Sequence, residues 1–224
     1  MDYIIMIDIL YFNEVLFFIS NFTRYLLLIG SFIFSYLIGS IPTGYWFAKY
    51  FFGIDVTRNG SGNIGATNIA RVLGNKKYFF LIFFIDFLKA FFCLGIMNLF
   101  LKNFFWTIQN FNEAFLILWS IFLLIGNAYS IFLNFKGGKG VATTLGILVY
   151  LFPINVFLIF FVCWIIILFW AKRVDLASLF SIYIIFIFYF SLFNYSINCL
   201  FFLLFICCWI TFRHKENIKK CYNL

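Results

Sequence analysis

The sequence contains few acidic residues, one histidine and two prolines, and these scarcities exclude several classes of protein. Asp and Glu together number 8 in 224 residues, and charged residues make up 11% of the chain. Soluble globular domains average about 25% charged residues, so a predominantly water-exposed surface is excluded. With one histidine and so few carboxylates, a metal ion would find almost no ligands. We predict no metal site and no cofactor.

The six cysteines form no C-x-x-C pair, which argues against a zinc site or a redox motif. Five of them fall inside hydrophobic runs, where free cysteine behaves as a small apolar residue. We predict burial for these five: Cys93, Cys163, Cys199, Cys207 and Cys208.

Long hydrophobic runs are what the chain does contain. Hydrophobic residues make up 65% of it, and several runs approach the roughly 20 residues that a helix needs to cross a bilayer. We predict an all-α, polytopic integral membrane protein with about seven transmembrane helices in one domain, residues 25–212. The predicted spans are 25–47, 78–101, 114–134, 141–152, 154–171, 177–193 and 197–212.

Basic residues are distributed very unevenly between the predicted loops. Thirteen of the 16 Lys and Arg residues fall on one side of the bundle, whereas Arg24 and Lys102 fall on the other. The positive-inside rule then places the N-terminus outside and the C-terminus inside. The net charge of +8 follows this loop pattern and forms no basic helix face, so we predict no nucleic-acid binding.

Segments at both ends of the chain differ from the hydrophobic spans. Residues 1–24 are interrupted by Asp2, Asp8 and Glu14 and lack the basic start and cleavage site of a signal peptide. We interpret them as an uncleaved N-terminal extension at the membrane interface. Residues 213–224 form a basic cytoplasmic tail.

A glycine-rich polar segment, GSGNIGATN at residues 60–68, follows the first predicted span. Its G-x-G-x-x-G pattern alone is insufficient for a dinucleotide site, which requires a βαβ unit. Glycines allow backbone N–H groups to approach an anion, and a nearby arginine can grip a phosphate. An anion site and a flexible polar loop that caps a helix are the two interpretations. The candidate residues are Gly60, Ser61, Gly62, Asn63, Thr67, Asn68 and Arg71.

A second such segment, FKGGKG at residues 135–140, interrupts the hydrophobic sequence with two lysines and three glycines. It is not a Walker A motif, because Leu133 and Gly140 occupy positions that require Gly and Ser or Thr. A helix that begins directly after it would add its N-terminal dipole to the lysine charges. The alternative is a loop that only anchors topology. The candidate residues are Lys136, Gly137, Gly138 and Lys139.

Two further charged features have structural and functional interpretations. Asp86 and Lys89 lie three residues apart inside the second span, where an unpaired lysine would cost about 2.5 to 3.5 kcal/mol. We predict a structural ion pair, with substrate contact as the alternative. The lone histidine, His214, is a candidate acid, base or phosphate donor, although its spacing alone favours a solvated tail.

Taken in order, these segments resemble the bacterial acyl-phosphate:glycerol-3-phosphate acyltransferases, the PlsY family. The segments that carry the resemblance are GSIPTG at 39–44, GSGNIGATNIAR at 60–71, DFLK at 86–89, GNAYSIFLNFKGGKGVAT at 126–143, LAS at 176–178 and RHKENI at 213–218. The resemblance implies a seven-helix protein of the bacterial cytoplasmic (inner) membrane, with its active site facing the cytoplasm.

The resemblance also implies a reaction and a set of site residues. A fatty acyl group passes from acyl phosphate to the 1-hydroxyl of sn-glycerol 3-phosphate, which gives lysophosphatidate and phosphate early in phospholipid biosynthesis. Membrane lipid and the enzyme that makes acyl phosphate are the implied partners. In this family Arg71 and Lys139 would hold phosphate charge, Ser61 and Ser178 would donate hydrogen bonds, and His214 with Asn217 would orient glycerol phosphate.

The chain departs from the family pattern at three places. The segment usually written G-H-x-x-P has Asn127 and Ser130 instead of His and Pro. Thr57 stands where the family usually has an arginine two residues after its aspartate, and Asp175 replaces the first serine of S-L-A-S. These changes put local helix-end geometry in question.

Three other functions compete with this one. An anion transporter would need anion sites at mid-membrane depth, and a structural scaffold would need neither glycine-rich loop. An acyltransferase that uses acyl-CoA or acyl carrier protein typically has H-x-x-x-x-D, but Ile218 and Lys219 lie four and five residues after His214.

Overall fold

The computed structural model describes residues 22–104, 112–192 and 196–222. Within these ranges the regular secondary structure is helical, apart from an isolated bridge between Ser130 and Lys136, and loops connect the helices. The helices are α1 (Phe22–Ser40), α2 (Thr43–Phe52), α3 (Ala66–Val72), α4 (Lys77–Phe104), α5 (Asn112–Ala128), α6 (Val141–Leu151), α7 (Ile154–Ala171), α8 (Val174–Leu192), α9 (Ile197–Arg213) and α10 (Lys215–Tyr222).

The apolar helices have the lengths and surfaces of a multi-pass membrane protein. In the described part of the chain, α1, α4 and α7 are long and apolar enough to cross a membrane, and α5, α6, α8 and α9 are shorter apolar helices. The surface of α7 carries Ile166, Phe169 and Trp170, with exposures of 61%, 86% and 86%. Such a surface suits lipid contact, because lipid removes the cost of exposing apolar groups to water. The count of seven spans and their orientation stay predictions.

The first predicted span, residues 25–47, is wrong as a single helix, because α1 ends at Ser40 and α2 starts at Thr43. Pro42 has no N–H to continue the helix. The carbonyl oxygens of Gly39 and Ile41 instead accept hydrogen bonds from Lys89 Nζ, at 3.3 and 3.0 Å. A side chain of α4 therefore satisfies the broken end of α1.

Other predicted boundaries lie nearer to those observed. The turn at Pro153 is confirmed, since α6 ends at Leu151 and α7 begins at Ile154. The predicted third span ran to residue 134, but α5 ends at Ala128 and a 3-10 turn follows at Ile131–Leu133. Residues 1–21 of the predicted extension, and part of the predicted turn at 194–198, lie outside the described residues.

Two apolar clusters hold the bundle together. The larger one joins α4, α5, α6, α8 and α9 through fully buried side chains that include Leu94, Trp119, Leu148, Ile182 and Leu203. Within the described chain α4 packs against α5 and α6, α7 against α8, and α8 against α9. This packing brings the start of α6 and the end of α9 to one end of the bundle.

The smaller cluster fixes the first glycine-rich segment to the same end. Val56, Ile64 and Ile69 from the 53–72 region pack with Ile82 of α4, and Leu133 packs against them. Leu133 lies two residues before the second glycine-rich segment. The two candidate anion loops are therefore neighbours.

The predicted ion pair inside the second span is confirmed. Lys89 Nζ lies 2.7 Å from Asp86 Oδ1, and their side chains are 9% and 14% exposed. Thr43 Oγ1 donates to the same carboxylate oxygen at 2.7 Å. The pair joins α4 to the start of α2, which gives it a structural role.

The cysteine prediction holds only in part. Cys93, Cys199 and Cys207 are buried, Cys163 is half-buried, and Cys208 is exposed on the surface of α9. Cysteine is apolar enough to face lipid as well as the core.

Candidate functional site

The FKGGKG loop is held in a tight conformation between α5 and α6. Asn134 and Phe135 adopt left-handed backbone conformations, with φ of 51° and 60°, which cost a non-glycine residue about 1 to 3 kcal/mol each. The Phe135 N–H donates to Ser130 O at 2.8 Å, and the Lys136 N–H donates to Leu133 O at 3.1 Å. These hydrogen bonds maintain the two left-handed conformations. The resulting turn directs the next four residues back against the end of α5.

Close packing explains the glycine at position 137. A Cβ atom there would overlap the Asn127 carbonyl oxygen and lie 2.5 Å from the Ala128 carbonyl carbon. One residue on, the Gly138 N–H donates to Asn127 O at 2.9 Å. The loop is thus seated directly on the last turn of α5, and only a residue without a side chain fits at 137.

Arg213, at the end of α9, holds the loop from its other side. Its Nη2 donates to Gly138 O at 2.8 Å, and its guanidinium lies 5.2 Å from the centroid of the Tyr129 ring. Arg213 is not among the site residues predicted from the sequence. No local signal distinguishes it from the other basic residues of the tail, because its partners lie 75 to 85 positions away.

Lys139 is connected to α8 through α10. Lys139 Nζ donates to Asn217 Oδ1 at 2.7 Å. Asn217 Nδ2 donates in turn to Asp175 Oδ2 at 2.8 Å. Asp175 also accepts two hydrogen bonds from Arg173, at 3.2 and 2.7 Å. Lys139, Asn217, Asp175 and Arg173 therefore form one polar chain across the end of the bundle.

His214 lies in the interior, so the solvated-tail interpretation is wrong. The side chain is 2% exposed, and Nδ1 lies 2.8 Å from Ile210 O. Because a carbonyl oxygen can only accept, Nδ1 carries the hydrogen and Nε2 is left as an acceptor. Burial, helped by the charge of Lys139, lowers the pKa of His214 to about 4, so the ring is neutral at pH 7.

Ser178 lies one turn below Asp175 on α8 and is buried. Its hydroxyl donates to Val174 O at 2.9 Å and accepts from Trp164 Nε1 at 3.2 Å. It also lines a small apolar cavity with Val141 and Phe160.

The GSGNIGATN loop is organised around the side chain of Asn68. Asn68 Oδ1 accepts from the Ser61 N–H at 2.8 Å, and Nδ2 donates to Asn63 O at 2.8 Å. Nδ2 also donates to two carbonyl oxygens just before the loop, those of Asn59 and Val56, at 3.1 and 3.3 Å. Gly60 has a φ of 63° and passes so close to Asn68 Oδ1 that a Cβ atom would overlap it. The buried amide of Asn68 thus shapes the loop.

The remaining predicted residues of this loop are more accessible. Asn63 Oδ1 accepts from the Gly65 N–H at 2.8 Å, which forms a tight turn just before α3. Ser61, Thr67 and Arg71 are exposed, as is Lys136 of the neighbouring loop. The 60–68 loop, Arg71 and the neighbouring loop therefore present exposed donors and basic side chains at the protein surface.

The departures from the family pattern make contacts of their own. Asn127 Oδ1 accepts from Lys89 Nζ at 3.4 Å, and Ser130 Oγ donates to Ser40 O at 2.5 Å. Thr57 donates its N–H and hydroxyl to Asp55 Oδ1 at 3.0 and 2.6 Å. These hydrogen bonds lower the pKa of Asp55.

The site has the chemistry of an anion-binding centre. Lys139, Arg71 and Lys136 supply positive charge, and the loops supply backbone N–H groups near the start of α6. In the described part of the chain no group of three or more His, Cys, Asp or Glu residues is placed to hold a metal ion.

Comparison with known proteins gives consistent results. The family model described as glycerol-3-phosphate acyltransferase matches residues 29–224. The glycerol-3-phosphate acyltransferase of Aquifex aeolicus is 43% identical and that of Fusobacterium nucleatum 36%, over 84% of this chain and 92% and 91% of those proteins. A crystal structure of PlsY, an integral membrane glycerol 3-phosphate acyltransferase in its glycerol 3-phosphate form, matches with a TM-score of 0.75 and 37% identity. That match covers 88% of this chain and 92% of the other. The lysophosphatidic acid form matches with a TM-score of 0.73.

Proposed function

This chain belongs to the glycerol-3-phosphate acyltransferase family, and from that premise we propose that its acyl donor is an acyl phosphate. The chain is a multi-pass membrane enzyme that acylates glycerol 3-phosphate to give lysophosphatidate. The donor, the roles of individual residues and the membrane face of the site are the parts that we propose.

The hydrogen bond between Lys139 and Asn217 is the observation that carries this proposal. It fixes the ammonium group of Lys139, a residue that lies two positions before the first residue of α6. A phosphate is favoured there by the lysine charge and by the helix dipole together. Both proposed substrates carry phosphate. We assign Lys139 and the exposed Arg71 to phosphate charge, with Lys136 and the donors of the 60–68 loop as supporting groups.

We assign His214 to orient the nucleophile, which is the 1-hydroxyl of glycerol 3-phosphate. Its Nδ1 hydrogen is used by Ile210 O, so a neutral Nε2 can accept the hydrogen bond of the glycerol 1-hydroxyl. With a pKa of about 4, His214 is too weak a base to keep that proton at neutral pH. An anionic phosphate beside Lys139 would raise this pKa.

Direct transfer then balances without a serine intermediate. The glycerol 1-oxygen bonds to the acyl carbon, the bond from that carbon to the phosphate oxygen breaks, and the hydroxyl proton leaves on the departing phosphate. Positioning and charge stabilisation suffice for this step, because an acyl phosphate is already activated. Ser178, which lines the apolar cavity, is assigned to the acyl-carrying side of the site.

The basic loops support a location for this chemistry. Lys139, Arg173 and Arg213 meet at one end of the bundle, whereas Lys102 lies in the last turn of α4. By the positive-inside rule the site faces the cytoplasm of a bacterial inner membrane. A hydrophobic acyl phosphate would reach it most directly from the enzyme that makes it, which we propose as a partner.

The donor is tested with purified protein in detergent. Glycerol 3-phosphate is supplied with palmitoyl phosphate, palmitoyl-CoA or palmitoyl-acyl carrier protein in parallel reactions. Lysophosphatidate and inorganic phosphate are both measured. We expect product from palmitoyl phosphate alone, with one phosphate released for each lysophosphatidate. Product from either thioester without product from palmitoyl phosphate would overturn the donor assignment.

A further inference from the structure

Asp175 is the residue at which this chain replaces the first serine of the family segment, and its contacts point to a role in the site. Its carboxylate accepts from Asn217 Nδ2 at 2.8 Å and from Arg173 Nη2 at 2.7 Å. The side chain is 14% exposed. We propose that Asp175 is a positioning residue that fixes Asn217, and through it Lys139, in the orientation that binds substrate phosphate. This inference rests on the proposed phosphate role of Lys139.

The chemistry of the three side chains allows one orientation of the Asn217 amide. A carboxylate can only accept hydrogen bonds and an ammonium can only donate them. The NH₂ group must therefore face Asp175 and the oxygen must face Lys139, as observed at 2.8 and 2.7 Å. An Asn217 freed from Asp175 could rotate its amide by 180° and present NH₂ to the lysine, which would push the ammonium group away.

Asp175 itself is held firmly by its second partner. Arg173 donates from Nε and Nη2 to the two carboxylate oxygens, and such paired bonds fix geometry better than one contact does. Asp175 also lies in the first turn of α8, where a negative side chain is favoured by the helix dipole. The carboxylate is thus a rigid reference point on α8, whereas Asn217 belongs to the short helix α10. A serine at this position could donate as well as accept, so it would define the amide orientation less strictly.

A double-mutant cycle tests whether Asp175 acts through Asn217. The four proteins are wild type, Asp175→Ala, Asn217→Ala and the double variant, with kcat and KM for glycerol 3-phosphate measured using whichever acyl donor the wild type accepts. We expect Asp175→Ala to lower kcat/KM about tenfold in the wild-type background, from the loss of a charge-assisted hydrogen bond. In the Asn217→Ala background we expect a loss below about twofold.

Two further variants separate positioning from stability. Asp175→Asn keeps an acceptor oxygen for Asn217 and is expected to recover kcat/KM to within about threefold of wild type. Glu216→Ala removes an exposed negative charge next to Asn217 and is expected to leave kcat/KM unchanged. Melting temperatures in detergent identify any variant that fails to fold, and if Asp175→Ala does so, Asp175→Ser, which carries the serine of the family segment, takes its place in the cycle.

The outcomes distinguish this inference from the proposed function. Equal losses from Asp175→Ala in both backgrounds would overturn the positioning role while leaving the site assignment intact. Wild-type kcat/KM in Asn217→Ala would overturn the site assignment itself. A preference for a thioester donor would change only the donor, because the cycle can be run with any donor.

Discussion

Gly137→Ala tests whether the loop that carries Lys139 must sit directly on the end of α5. The added methyl group would overlap the Asn127 carbonyl oxygen and lie 2.5 Å from both the carbonyl carbon and oxygen of Ala128. Ordinary contact begins at 3.4 Å, so the loop must move by roughly 1 Å, since the backbone of α5 cannot yield as a side chain does.

The movement has consequences for both stability and catalysis. Overpacking of this kind costs about 1 to 3 kcal/mol. The hydrogen bonds of Gly138 to Asn127 and to Arg213, at 2.9 and 2.8 Å, would lengthen with it. Lys139 would be displaced with the loop, and a misplacement of about 1 Å in a catalytic site can cost about 100-fold in rate. We expect a lower melting temperature and about a 100-fold lower rate of lysophosphatidate formation.

The matched control is Gly30→Ala in α1, where an added Cβ meets no atom within 4 Å. It changes the same residue type inside the same protein, and both its rate and its melting temperature in detergent should equal those of wild type. The reasoning is refuted if Gly137→Ala also behaves as wild type in both measurements, because the loop would then tolerate a side chain where the structure has no space.

Two other predictions concern stability in detergent. Because burial lowers the pKa of His214 to about 4 in the folded protein, from about 6.5 for an ordinary histidine, the unfolded chain takes up a proton first as the pH falls. Stability should drop by up to about 3 kcal/mol between pH 6.5 and 4, and a melting temperature equally pH-dependent in His214→Gln would contradict this. Asp86→Ala leaves Lys89 without its carboxylate, and we expect a loss of about 3 kcal/mol. Asp86→Asn keeps an acceptor oxygen for Lys89 and Thr43 and should melt above Asp86→Ala. An equal or lower melting temperature in Asp86→Asn would show that the contacts of this side chain are not responsible for the loss.

Local sequence signals sufficed for much of the fold. The hydrophobic runs at 154–171 and 197–212 correspond to α7 and α9 within one residue, and Pro153 marks the turn before α7. The break in the first span could not be placed in the same way. The sequence around Pro42 contains no charged residue that would interrupt a membrane span. The carbonyl groups freed there are bound by Lys89, almost 50 residues away.

The site residues likewise fall into those that local sequence predicts and those that depend on tertiary contacts. The glycine-rich loops and Lys139 are visible in the sequence because small and charged residues are rare in it. The interior position of His214 was not predictable, since α9 and α10 turn it inward only through tertiary packing. Asp175 was visible in the sequence only as a departure from the family segment S-L-A-S. Its contact with Asn217 was not predictable, because the two residues lie 42 positions apart.

The most direct test of the central claim is lysophosphatidate formation from glycerol 3-phosphate and palmitoyl phosphate by Lys139→Ala. Lys76→Ala removes an exposed lysine from a neighbouring loop and serves as the control for net charge. We predict that Lys139→Ala keeps the wild-type melting temperature and loses at least about 100-fold in rate, while Lys76→Ala turns over normally. Wild-type turnover in a folded Lys139→Ala protein would contradict the assignment of the site.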